Sequence, residues 1–108
     1  MVVGISDDRT ADRLFHALAD ATRRDIVKRA MHGEHSISDL ARGYEMSFAA
    51  VQKHVAVLEE AGLVSKEQRG REKLVRINID TIRTAQRLLD EFDVLWRDRI
   101  ERIEGILD

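Results

Sequence analysis

The sequence predicts a mainly α-helical domain with a small β-hairpin, in the order α-α-α-α-β-β-α. Three observations carry this. Apolar residues recur at helical spacing over most of the chain. Two short runs of period two flank Gly70. The 108 residues contain no proline and only 5% aromatics, which suits helices better than a β-sandwich, whose strands want aromatics and whose turns want proline.

The first helix is carried by Ala11, Leu14, Phe15 and Leu18, with Asp7 or Asp8 as its cap. Asp20, or else Thr22, caps a second helix through Ile26, Val27 and Ala30, which His32-Gly33 ends with Gly33 as a left-handed stop. A short third helix lies within Ser36 to Gly43, capped by Ser38 and facing inward through Leu40 and Ala41. Tyr44-Glu45-Met46 has the length of a turn. Ser47 then caps a longer helix whose Val51, Val55, Leu58 and Ala61 form one stripe. Gly62 ends it, with Leu63 as the hydrophobic partner of that cap. Alternation sets in at Val64, Lys66 and Gln68, and again at Val75, Ile77 and Ile79, with Arg69-Gly70-Arg71 between them as a hairpin tip. Asp80 caps a last helix of about 27 residues, roughly 40 Å long.

A short helix, a three-residue turn, a longer helix and a hairpin make the plan of a winged helix-turn-helix. The reading is one domain over 1–108, with the helix-turn-helix at 38–61, the wing at 63–79 and a dimerisation helix at 81–107. In such a plan the second helix of the motif offers side chains to the major groove. Here its outward set is Ser47, Phe48, Ala49, Ala50, Gln52, Lys53 and His54. Gln pairs with adenine in a bidentate way, Lys reaches guanine or phosphate, and His54 donates to a phosphate. Arg69, Arg71 and Lys73 surround the wing tip and suit phosphates or a minor groove. A solvated tip is the plainer alternative for those three, but beside a helix-turn-helix DNA contact is favoured.

Ala17-Leu18-Ala19-Asp20-Ala21-Thr22-Arg23-Arg24, Asp39-Leu40-Ala41, Met46-Ser47, Val51-Gln52-Lys53-His54 and Leu58-Glu59-Glu60-Ala61-Gly62-Leu63-Val64 together resemble the ArsR/SmtB-type transcriptional repressors. The resemblance covers nearly the whole chain from Leu14 onward. Ala21 stands where that family often has proline, and Gln52 where a small residue is common. The resemblance implies a homodimer that binds double-stranded DNA at an inverted-repeat operator and represses transcription. It assigns Ser47 to His54 to the recognition helix and Arg69 to Lys73 to the wing tip.

The last helix carries Ile82, Ala85, Leu89, Phe92, Trp96, Ile100, Ile103 and Leu107 at steps of three and four, a heptad-like seam. Leu88 and Leu95 lie beside it. So long a stripe exceeds what one small domain covers. The expected dimer interface is therefore Leu14, Leu18, Leu89, Phe92, Trp96, Ile100, Ile103 and Leu107. A two-fold axis would set two recognition helices roughly 34–36 Å apart, one turn of DNA.

Other classes are excluded or weakened. With no cysteine, disulfides, thiolate metal sites and a catalytic thiol are out. The four histidines are His16, His32, His35 and His54; none lies in the last helix, and His32 with His35 reads as two exposed turn histidines before it reads as a metal patch. No metal, cofactor or catalytic residue is expected, and a small-molecule effector is left open. An enzyme would need a nucleophile–base spacing or a phosphate loop, and neither is present. No run approaches the ~20 apolar residues that span a bilayer, and the N-terminus lacks the pattern of a signal peptide, so the expected location is the cytoplasm without a membrane partner. The alternative function is a winged-helix module for protein contacts without specific DNA binding. Charge separates the two. The net charge is −2, but residues 52–76 hold six basic and four acidic groups, +2, whereas residues 77–108 hold five and eight, −3. A basic stretch over the recognition helix and wing supports the DNA reading.

Overall fold

The structure is a computed structural model that describes residues 5–107, with side chains from 8 to 106. Helix α1 spans Ile5–Leu18 and α2 Ala21–His32; strand β1 is His35–Ser36; α3 is Ile37–Arg42 and α4 Phe48–Glu60; β2 is Val64–Arg69 and β3 Glu72–Ile77; α5 runs Ile79–Leu107. The strands form one antiparallel sheet in the order β1-β3-β2. The hairpin is as expected. The third strand, β1, is an addition to the expected order: two residues, His35 opposite Val75 and Ser36 opposite Leu74, pair with the wing and tie it to the end of α2.

Local chemistry explains most boundaries. Asp20 caps α2, its carboxylate accepting the Arg23 N–H at 3.0 Å. That hydrogen bond, helped by the Arg23 charge, holds the Asp20 carboxyl below its ordinary value. Ser47 caps α4 as expected, accepting from Ala50 N at 3.1 Å. The end of α4 is a Schellman motif. Gly62 N–H donates to Glu59 O and Leu63 N–H to Leu58 O, both at 3.0 Å, with Gly62 at φ 76°. Leu63 is then fully buried. Gly70 takes φ 62° at the hairpin tip, where a two-residue loop needs a positive angle.

Four expected boundaries differ. Helix α1 already contains Asp7 and Asp8, so neither caps it at Ala11; the side chain of Asp7 lies outside the described residues. Gly33 follows α2 at φ 173°, extended and not left-handed, because the chain passes straight into β1. The cap of α3 is Ser36 and not Ser38. Ser36 Oγ accepts the Asp39 N–H at 3.0 Å, and Asp39 returns a carboxylate oxygen to the Ser36 N–H at 3.3 Å, a reciprocal capping box. Asn78, not Asp80, starts α5, its side-chain oxygen accepting the Asp80 N–H at 3.2 Å. Ile79 accordingly belongs to α5 and not to the wing.

The core lies between α1–α4 and the sheet. Leu14, Ile26, Leu40, Val51, Val55, Leu58 and Leu63 are fully buried there, and Ala85 brings the start of α5 onto it. Each such aliphatic side chain contributes roughly 1.5–3 kcal/mol through burial. Thr81 Oγ1 donates to Gly62 O at 2.7 Å, which fastens α5 to the end of α4.

Candidate nucleic-acid interface

Helix α4 turns Val51, Val55 and Leu58 into the core and leaves Phe48, Ala49, Gln52 and Lys53 exposed. The motif's turn is clasped from α2. Tyr44 donates its hydroxyl to Asp25 at 2.6 Å, and the Arg29 guanidinium sits 5.3 Å over the Tyr44 ring while donating to Leu40 O and Asp39 O. Burial, then the Asp25 contact, pushes the Tyr44 hydroxyl above its ordinary pKa, so it stays a donor. The turn between α3 and α4 is thereby held by side chains from α2.

The first turn of α4 meets the wing across an open groove of about 200 Å³, lined by Ile37, Ser38, Phe48, Gln52, Gln68, Arg71, Glu72 and Lys73. Four expected contact residues, Phe48, Gln52, Arg71 and Lys73, therefore come together. Arg71, Lys73 and Lys53 form no ion pair among the described residues. Phe48 is 47% exposed, an aromatic ring with no core to fill. Ser47 is exposed but already uses its oxygen as a cap. Ala50 is half-buried.

Two expected contacts are already engaged by other side chains. Arg69, the last residue of β2 beside the tip, is engaged in an ionic network: it meets Glu34 at 3.2 Å and Glu67 at 3.9 Å, while Arg76 meets Glu34 at 3.0 Å and also Glu67. The glycine-centred tip suggested a cluster of cations, but Arg69 also reaches Glu34, an acid that the local sequence does not reveal. His54 is half-buried at the junction of α1 and α2, away from the wing groove. Its Nδ1 lies 3.3 Å from an Arg23 nitrogen. Arginine only donates, so Nδ1 accepts and the proton sits on Nε2. The same guanidinium donates to Ala17 O at 2.7 Å and His16 O at 3.0 Å, closing the end of α1. Sequence reasoning missed Ser38 and Gln68, which line the groove from α3 and β2.

The expected seam on α5 divides in two. Ala85 is buried and Ile82 packs on the core. Beyond them Leu89, Phe92, Leu95, Trp96 and Ile103 are 42–68% exposed. Ile100 and Leu18 are partly covered, and the side chain of Leu107 lies outside the described residues. Leu14 is corrected: it is fully buried in its own core and has no surface to offer a partner. Among the described residues no three His, Asp or Glu side chains gather as a metal site, and no helix is long and apolar enough to cross a membrane. His32 Nδ1 donates to Lys28 O at 2.7 Å and His35 lies in β1, so the two belong to different elements.

Comparison with known proteins gives the same picture. The HVO_A0114 family model matches residues 20–84. The HTH-type transcriptional regulator Rv2034 of Mycobacterium tuberculosis is 36% identical over 88 residues, 82% of each chain. The arsenical resistance operon repressor of Escherichia coli is 30% identical over 96 residues, covering 88% of this chain and 80% of that protein. The solved ArsR-like transcriptional regulator from Rhodococcus sp. RHA1 superposes with a TM-score of 0.82 at 28% identity, over 94% of this chain and 96% of that one. With its helix-turn-helix and wing, the chain belongs to the HVO_A0114 family and to the ArsR-type winged helix-turn-helix transcriptional regulators.

Proposed function

We propose that the chain is a cytoplasmic, homodimeric repressor that binds an inverted-repeat operator through α4 and the wing. The observation that carries this is the groove where Phe48 and Gln52 of α4 face Arg71 and Lys73 of β3's approach. It pairs groups that read base edges with cations that hold phosphates. The exposed apolar side of α5 supplies the second half of the reading, since two copies joined there present two recognition helices. The work is binding, with no chemistry performed on the DNA. The similarity to a named operon repressor supports the direction of regulation.

The test is titration of a fluorescent duplex, carrying the DNA upstream of the protein's own gene, at several salt concentrations. Specific binding that weakens steeply with salt is expected, and Lys53→Ala or Arg71→Ala should weaken it about tenfold. Binding that ignores salt, or none at micromolar protein, overturns the proposal.

A further inference from the structure

The groove between α4 and the wing holds more than the residues the motif supplies. Ser38 enters from α3 and Gln68 from β2. The Ser38 hydroxyl and the Gln52 amide have no hydrogen-bond partner in the described protein. Gln68 spends one amide N–H on Gly70 O, at 2.8 Å, and keeps the other. Arg71 and Lys73 add two unpaired positive charges against the single carboxylate of Glu72, a net +1. Donors without acceptors and one surplus positive charge, in about 200 Å³, match one singly charged group rich in acceptors. A backbone phosphodiester is such a group. The position fits as well, because a duplex that places its major groove on α4 and its minor groove on the wing runs a sugar–phosphate strand between them.

We propose that this groove seats one backbone phosphate, with Ser38 and Gln68 as the donors that fix its position and Lys73 as its counter-charge. The proposal rests on the DNA-binding reading. Ser38 and Gln68 hold register on the duplex and carry no base preference of their own.

The test uses the full chain, the upstream duplex and a scrambled duplex of equal length. Ser38→Ala and Gln68→Ala should each weaken both duplexes by the same factor, about three- to tenfold. Lys73→Ala should lower the slope of log affinity against log salt by about one. A scan of single neutral methylphosphonates along the upstream duplex should find one position per half-site at which Ser38→Ala becomes silent. Both residues are exposed, so thermal melts identical to wild type are the folding control. If wild type binds neither duplex, the DNA reading itself fails, and this proposal with it. If wild type binds but the two alanine variants do not differ from it, or lose only the upstream duplex, or couple to no phosphate, the phosphate seat alone is overturned.

Discussion

Gly62 shows how much one backbone angle settles. At φ 76° it lets α4 stop within a residue and delivers Leu63 into the core. A Cβ there would meet Thr81 Oγ1 at 3.5 Å, an ordinary contact, so the cost of Gly62→Ala is conformational and not steric. It should lower stability by about 1–2 kcal/mol, read as a drop of roughly 4–8 °C in Tm for each kcal/mol. An unchanged melt would mean the chain leaves α4 differently. This residue was legible in the sequence, because a glycine followed by a leucine at the end of an apolar stripe is a local signal. Arg69 was not. Its partner Glu34 is 35 positions away in the chain and reaches it only because β1 pairs with β3. Leu14 illustrates a related limit. Periodicity marks a face as apolar but does not say whether the same domain or a second one covers it.

Among the elements, β1 was the one the sequence concealed. Two residues cannot display a period, and the strand exists only because β3 offers a free edge. The cap of α3 was within reach. Ser36-Ile37-Ser38-Asp39 places an acid three residues after Ser36, whereas Ser38 has Ala41 at that distance. Ser36→Ala should cost about 1 kcal/mol by removing the acceptor for the Asp39 N–H, measured by urea unfolding; no change in midpoint would count against the capping box. Its counterpart has a pH signature. Hydrogen bonds from the backbone and hydroxyl of Ser36 hold the Asp39 carboxyl below its ordinary value of 3.8. A depressed folded pKa means stability that is present above about pH 4 and lost as the pH falls through the lower folded value. Wild type should therefore lose stability over that acid window more steeply than Asp39→Asn. Parallel curves would refute the assignment.

At the scale of the molecule, the extents of 65 × 32 × 21 Å reflect α5, whose 29 residues make a rod of about 43 Å. Its first turns are fastened by Thr81 and Ala85, Leu88 is still half-buried, and farther along Phe92 and Trp96 are exposed. A helix so little supported by its own domain draws little stability from packing within one chain, and the proposed dimer would cover it. Trp96→Asp should convert the protein from a species of about twice 12.4 kDa to one of 12.4 kDa in sedimentation. A dimer that survives the change would place the interface elsewhere. The division of charge seen in the sequence now has a location. The +2 stretch is α4 and the wing, and the −3 stretch is α5, so the acidic rod projects from the core while the basic surface is left to the groove.

Arg23 gives this arrangement a mechanical meaning. One flat guanidinium bonds two carbonyls at the end of α1 and the ring of His54 on α4. Its donors are fixed in a plane, so the three acceptors are held at set distances from one another. Helix α4 is thus indexed to α1 like a tooth to a gear. A lysine, which offers one compact ammonium, could not keep all three in mesh.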